Sequence, residues 1–322
     1  MIEKCAMTIS RRRFLGTAAA AASPILLRSV AARAADKPNS DFNGVQIGVI
    51  TYSYRSLPGS AQDLLKYITQ CGISSVELMG EPAEQFAGIP SFPGPGARRG
   101  QMTDEQRKVM QQKQEEIRQW RKSAPMDKYQ ELRKLYNDAG VDIHIVKFGN
   151  IGDGNMPDEE IDYYFNAAKA LGAKGITREL SEEAAKRLAP FADKHQIVIG
   201  FHNHTQLKPT TYDGSILSYS KYMGINFDVG HYLAGTNESP IAFLQKYHER
   251  ILSLHIKDRK LNNGPNTPFG QGDTPVAAIL QLMKKEKWTF PADIELEYDV
   301  PQGSDAVAEV TQCVQFCKEA LA

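Results

Sequence analysis

The chain has 322 residues, 38 basic and 38 acidic, with 42% hydrophobic and 24% charged residues. That balance excludes a disordered, collagenous or polytopic membrane chain, and about 300 residues suffice for one large core or two ordinary domains. The zero net charge conceals an asymmetry. Residues 1–34 carry Lys4, Arg11, Arg12, Arg13, Arg28 and Arg33 against Glu3 alone, so the remainder holds 32 basic and 37 acidic residues, a net charge of −5. A chain of that balance is not built to wrap nucleic acid by counterion release.

Ser10, Arg11, Arg12, Arg13, Phe14 and Leu15 precede an apolar, alanine-rich run over 17–27, and Ala32, Arg33 and Ala34 offer small residues for cleavage. The pattern resembles a twin-arginine export signal. Its apolar run is too short to cross roughly 30 Å of hydrocarbon, so no stable membrane anchor is expected after cleavage. The expected division is a signal peptide over 1–35, read by the twin-arginine translocation machinery, and a mature domain over 36–322, periplasmic or otherwise exported. Because that route moves folded proteins, a metal could be loaded before export. Cys5 leaves with the signal, and Cys71, Cys313 and Cys317 read as small buried hydrophobes rather than a disulfide framework.

From Val45 onward, short β-branched runs alternate with helical periodicity. Strands are expected over 45–51, 75–79, 142–148, 175–179, 197–203, 225–228, 251–257 and 292–298, and helices over 61–70, 127–138, 157–170, 181–194, 215–222, 239–247, 275–285 and from 305 onward. Several helices end in glycine just before the next strand, at Gly72, Gly140 and Gly172. Eight strand-then-helix units without a second composition regime argue for a single (β/α)8 TIM barrel. A doubly wound sheet would carry a glycine-rich phosphate turn after its first strand, and 50–55 (ITYSYR) has none. One excursion interrupts the alternation. A Gly- and Pro-rich segment over 88–96 and a charged helix over 103–122 are read as an inserted loop, or flap, and helix after strand 2, on the active face.

In such a barrel the chemistry sits where strands run into the following loops. Glu77, Lys147, Arg178, Glu179, His202, Asn203, His204, Asp228, His231, His255, Lys257, Asp258, Glu295, Glu297 and Asp299 all stand at those ends. Side chains two apart on a strand share a face. Alternation therefore turns Ser253, His255 and Lys257 toward the axis with Asp293, Glu295 and Glu297, and leaves Leu252, Leu254 and Ile256 to the helices. Charges aimed into a narrow interior are costly unless paired or metal-bound. A carboxylate from strand 6, an imidazole from strand 7 and a carboxylate from strand 8, with a further ligand from strand 4 or 5, would form a mixed N/O cage for Mn, Mg, Co or Zn as a divalent cation. The absence of thiolates argues against a closed structural zinc.

The motifs FHNH (201–204), FDVGH (227–231), LHIKD (254–258) and LEYD (296–299) resemble the xylose isomerase-like TIM barrel superfamily, in particular its sugar phosphate isomerase/epimerase branch. The resemblance covers essentially the whole mature chain and is most specific in these four motifs. It implies one divalent cation held by Glu, Asp, His and Glu from strands 5 to 8, of which Asp228, His255 and Glu297 are the last three. The chain departs from that pattern at strand 5, where His202 takes the usual glutamate position. His202 or His204 is then itself a ligand, or Glu179 supplies the missing carboxylate.

The chemistry expected is proton abstraction next to a carbonyl through an enediolate. His202, His204 or Glu297 takes the proton, and Lys257 or Lys147 bonds the developing oxyanion. Reprotonation gives an isomerase or epimerase of a small-molecule carbohydrate substrate; loss of a β-substituent gives a lyase or hydratase acting on 3-keto glycosides. A non-catalytic carbohydrate-binding barrel is a third reading. A Schiff-base aldolase would leave the acids and imidazoles surplus, and a multi-metal nuclease would need a basic groove. Trp120, Trp288, Tyr52 and Tyr54 read chiefly as packing residues, His144, His195 and His248 as groups outside the site, and 262–273 as a loop shaping its rim.

Overall fold

A computed structural model describes residues 37–91 and 103–322. The export pattern over 1–35 and the stretch over 92–96 lie outside the described residues. Eight parallel strands form the barrel: β1 (Val45–Ile50), β2 (Ser75–Met79), β3 (Asp142–Lys147), β4 (Gly175–Glu179), β5 (Val198–His202), β6 (Met223–Asp228), β7 (Ile251–Ile256) and β8 (Ala292–Ile294). Each pairs with the next and β8 returns to β1, which closes the sheet. Around it run α1 (Ala61–Gln70), α2 (Gly80–Phe86), α3 (Asp104–Lys122), α4 (Met126–Asp138), α5 (Asp158–Leu171), α6 (Glu182–His195), α7 (Val229–Thr236), α8 (Ile241–Tyr247), α9 (Val276–Glu286) and α10 (Ala306–Leu321). The single (β/α)8 barrel expected from the sequence is the fold. No helix among the described residues is long and apolar enough to cross a membrane. Cys71, Cys313 and Cys317 are buried free thiols.

The apolar faces of the strands meet the buried faces of the helices in one continuous core that includes Val49, Val76, Ile143, Ile199, Phe227, Leu254 and Ile294. Helix starts are fixed by side-chain caps where the sequence supplies them. Ser60, Ser181 and Asp305 accept from the third residue onward, and Thr103 with Gln106 forms a reciprocal capping box on α3. No residue of α3 is buried; its last turn is pinned instead. There Arg121 donates to Glu84 of α2 at 2.9 Å and to Glu160 of α5 at 2.5 Å, and Trp120 packs edge-on against Tyr163.

Three differences from the sequence reading have local causes. α2 and α7 follow their strands almost without a loop and were not expected as helices; each has eight residues or fewer, too short for a helical period to declare itself. The stretch over 215–222 holds only a single 3₁₀ turn, Ile216–Ser218. β8 stops at Ile294 because β1 has already turned into a 3₁₀ turn, Thr51–Tyr54. Side chains replace that lost ladder: Ser53 Oγ accepts from the Leu296 amide at 3.0 Å and Arg55 donates to the Leu296 carbonyl at 2.5 Å.

Two register shifts alter which residues face the axis. Between Val76 and Glu77 the partner on β3 skips from Ile143 to Ile145, and His144 turns into the barrel, where its ring contacts Ser75 at 2.9 Å and Asp293 at 3.0 Å. Between Ile225 and Asn226 the partner on β7 skips from Ile251 to Ser253. Leu252 then points inward, where side chains at Gly175 and Gly200 would collide with it. Strict alternation had placed Leu252 on the helix side and His144 outside the interior; an extra residue in a ladder breaks the period of two.

The floor of the barrel is tight at Gly48, where a Cβ would lie 2.0 Å from Asp293 Oδ1. Asp293 is fully buried and held through its other oxygen by His144, so it has nowhere to retreat. Gly48→Ala is expected to cost roughly 1–3 kcal/mol in a thermal or urea melt. Gly59→Ala, with nothing within 4 Å of the added carbon, should stay within about 0.5 kcal/mol of the parent; equal losses in the two variants would contradict this packing.

Candidate active site

The site is built upward from Glu77, which β2 buries completely at the axis. A buried carboxylate must find donors, and Glu77 has three. Thr177 Oγ1 donates to Oε1 at 2.5 Å, Asn226 Nδ2 to Oε2 at 3.1 Å, and His255 Nε2 to Oε2 at 2.9 Å. His255 is also fully buried, and its Nδ1 lies 2.9 Å from Glu295 Oε2. Burial alone would lower the pKa of His255, but the carboxylates of Glu295 and Glu77 override it and push it up to about 10. Against the same burial penalty, the His255 charge holds Glu77 below the usual carboxylate range.

Glu77 also fixes the tautomer of His202. A carboxylate only accepts, so the amide nitrogen of Asn226 must face Glu77 and its oxygen must face His202, whose Nδ1 is 2.7 Å away. His202 therefore carries its proton on Nδ1, which leaves the Nε2 lone pair free. Burial and the neighbouring charges of His255 and Lys147 hold His202 well below its ordinary pKa. It is a neutral imidazole with one open nitrogen.

Asp228 ends β6 and starts α7 at once. Its Oδ1 accepts from the His231 amide at 2.6 Å as the helix cap, while the buried Oδ2 accepts no hydrogen bond of good geometry among the described residues. Facing that oxygen at 2.9 Å is Lys257 Nζ, which also reaches Glu295 at 2.7 Å and Glu297 at 2.6 Å. The Lys257 side chain is 2% exposed; burial opposes its charge, but the three carboxylates raise its pKa, so it stays an ammonium. The loop after β7 is fastened by Asp258, whose carboxylate accepts from the amides of Gly270, Gly272 and Thr274.

At the rim, His204 Nε2 lies 2.8 Å from Glu179 Oε2, and Lys147 reaches the other oxygen at 3.1 Å. The bond to Glu179 raises the pKa of half-exposed His204. Burial would raise that of Glu179, but His204 and Lys147 bring it down to about 2. His231 lies between two cations: Arg259 donates to its Nδ1 at 2.6 Å and Lys257 Nζ lies 3.1 Å from its Nε2, with Glu297 farther off at 3.5 Å. Burial, then the charge of Lys257, lowers the pKa of His231 to about 3.

Two sets of donors lie close enough to share an ion, each within 4.8 Å of one another: His202, Asp228, His255 and Glu295, and separately His202, His204 and His231. The first set fits a divalent cation. It offers the open nitrogen of His202, the orphaned oxygen of Asp228, Glu295, and a His255 whose Nε2 is already backed by a carboxylate, the usual support of a metal-binding histidine. Nitrogen and oxygen donors of this kind suit Mn, Mg, Co or Zn. In the second set both nitrogens of His231 already face cations, the Arg259 guanidinium at Nδ1 and the Lys257 ammonium at Nε2, so it has no free lone pair to offer an ion.

Of the expected ligands, Asp228 and His255, with His202 as one of the three alternatives for the remaining ligand, stand in the first set. Glu297 stands beside it, sharing Lys257 with Asp228, and Glu179 and His204 pair with each other at the rim. Three residues of the site escaped the sequence reading in this role. Glu295 was visible at its strand end and on the right face, but was passed over for its neighbour two residues on. Asn226 and Arg259 carried no signal, since their value lies in which nitrogen of a histidine they engage. A cavity of about 630 Å³ opens at the opposite mouth of the barrel, lined in part by Trp288, His248, Lys174 and Lys287; Tyr54 is buried with its hydroxyl on Cys71.

Because the folded pKa of His255 exceeds its ordinary 6.5, its contribution to stability is complete below about pH 6.5 and is lost as pH rises through about 10. Glu77, held below 4.5, contributes above that value and loses its share as pH falls. Chelator-treated protein should therefore lose melting temperature steadily from pH 6.5 to 10. Glu77→Gln should cost about 3–5 kcal/mol at pH 6 and flatten the alkaline decline; an unchanged slope in that variant would remove this pair from the account.

Comparison with known proteins agrees with this geometry. Residues 105–318 match the family described as xylose isomerase-like TIM barrel. An inosose dehydratase of Clostridium beijerinckii is 28% identical over 143 residues, and the match spans 43% of this chain and 40% of that protein. A probable 3-DHS dehydratase from Bacillus anthracis superposes with a TM-score of 0.57 at 13% identity, over 84% of this chain and 99% of the other. A D-psicose 3-epimerase solved with D-fructose gives 0.56 at 12% identity, over 86% and 99%; at such identities the likeness is one of fold. The family match covers most of the barrel and all the strand ends from β3 onward that build the site, and on that ground the chain belongs to the xylose isomerase-like TIM barrel family.

Proposed function

We propose that the protein is a divalent-cation-dependent enzyme that abstracts a proton next to the carbonyl of a sugar or keto-sugar and passes through an enediolate. The observation that carries this reading is the set of His202, Asp228, His255 and Glu295 donors converging at the mouth of the barrel, with acid and base groups immediately above. These four residues would hold the ion, which polarises a carbonyl oxygen and steadies the charge that develops there. Lys257 and Lys147 then lie where ammonium groups can bond the oxyanion or neighbouring hydroxyls.

Two groups at the rim are suited to move the proton. Glu297, with a side chain 20% exposed and held by Lys257, serves as base. His204, kept protonated by Glu179, serves as acid. The rings of His204 and His231 are 4.9 Å apart, and Glu297 lies 3.5 Å from His231 Nε2, so acid and base flank the same imidazole. Returning the proton to carbon completes an isomerisation or epimerisation. A second reading, β-elimination from a 3-keto glycoside or related keto-sugar, is favoured by the acid at His204, which can protonate a leaving oxygen, and by the resemblance to two dehydratases.

Incubation with keto-sugars and 3-keto glycosides in D2O separates the outcomes. Deuterium at the carbon beside the carbonyl marks epimerisation, and a released alcohol with an enone absorbance marks elimination. Asp228→Ala, His255→Ala and Glu295→Ala should each lose bound metal and turnover. His204→Ala and Glu297→Gln should keep the metal and lose on the order of 10²–10⁴ in kcat. Full metal content in the first three, or deuterium exchange independent of added ion, would overturn the reading.

The first 35 residues are proposed to export the folded barrel by the twin-arginine route. Replacing Arg11 and Arg12 by lysine should leave the chain cytoplasmic and uncleaved, whereas the parent should appear in the periplasm with a new amino terminus near Ala35. Export of the doubly substituted chain would refute the assignment.

A further inference from the structure

The donor set proposed for a metal already contains a cation. Lys257 Nζ lies 2.9 Å from Asp228 Oδ2 and 2.7 Å from Glu295 Oε2, two members of the set, and 2.6 Å from Glu297, which stands outside it. The ammonium thus sits among three carboxylates, and its remaining neighbour is His231 Nε2 at 3.1 Å. The surroundings are shaped for that arrangement: a Cβ on Gly230 would lie 2.4 Å from Lys257 Cγ and 2.8 Å from its carbonyl oxygen. The glycine of the FDVGH motif leaves the passage through which the lysine stem reaches the cage. A divalent ion drawn to Asp228 and Glu295 meets the same oxygens and the repulsion of a buried unit charge.

We propose that Lys257 is the resident cation of the cage. Its ammonium holds Asp228 and Glu295 together in the metal-free protein, and a divalent ion binds by taking over those two carboxylates, which leaves Lys257 on Glu297 at the mouth. The inference rests on the metal-dependent reading above and adds to it the residue that sets affinity. It accounts for four carboxylates, Glu77, Asp228, Glu295 and Glu297, meeting in one mouth: His255 and Lys257 neutralise part of that charge. It also gives Lys257 two successive positions, one within the cage and one facing substrate.

Calorimetric titration of the chelator-treated full chain with MnCl2 and with ZnCl2 tests the exchange, using the parent, Lys257→Met, Lys257→Gln and, as a site control, Asp228→Ala. Both lysine variants should bind at least about tenfold more tightly than the parent, because the ion no longer has to break buried ion pairs. Without metal their melting midpoints should fall well below the parent's, and added ion should restore them by a larger shift than it gives the parent. The glutamine variant keeps two amide donors for the carboxylates and guards against simple collapse. Lysine variants that bind with the parent's affinity or more weakly, or that unfold and are not refolded by the ion, would overturn the proposal. If those variants match the parent while Asp228→Ala abolishes binding, the metal site stands and only the exchange fails; if no form binds either ion, both readings fall together.

Discussion

A single buried carboxylate organises the mouth of this barrel. Glu77 sits at the axis without access to water, where an unpaired charge costs several kcal/mol, so the chain surrounds it with three donors from β4, β6 and β7. Each donor, once committed, has lost a degree of freedom. Asn226 must show its oxygen to His202, and His255 must turn Nδ1 toward Glu295. The orientation of two imidazoles is thereby decided one layer below the place where they would act. A network satisfied at every member is stiff as well as stable, and stiffness at this level is what a converging set of donors requires.

Above that layer the character of the electrostatics changes. His255, Lys257, Asp228 and Glu295 are dry, and their pairings are strong because no water competes. Glu179 and His204 at the rim are about half exposed, so their ion pair is screened and contributes little to stability. The division has a chemical use. Pairings in the dry layer are shielded from water, whereas protons at the rim can exchange with solvent.

The barrel was legible in the sequence because its strands are short β-branched runs punctuated by glycine, and the strand-end inventory named almost every charged group that meets at the mouth. What escaped depends on departures from regularity. One extra residue opposite Val76 and Glu77 brings His144 inside, and another opposite Ile225 and Asn226 turns Leu252 inward; a period of two has no way to announce its own interruption. Choosing between Glu295 and Glu297 requires knowing how far up the axis each carboxylate stands, and strand β8 gives no sign in its residues of ending at Ile294. Arg259 could not be foreseen at all, since it acts only through the nitrogen of His231 that it engages.

That effect of Arg259 explains why two clusters of similar composition have different chemical prospects. Three histidines within reach of one another look like a metal cage, yet a guanidinium never gives up its protons, and His231 has Arg259 at Nδ1 and the Lys257 ammonium at Nε2. The same imidazole is thereby occupied at both nitrogens and left without an open lone pair. In the other cluster Glu77 does the opposite to His255: a carboxylate behind Nε2 makes Nδ1 the better donor to a cation. Cations beside one histidine, on α7, and carboxylates beside another, on β7, thus give two similar rings opposite electrostatic surroundings, and the partner beside each ring, rather than the ring itself, decides what it can offer.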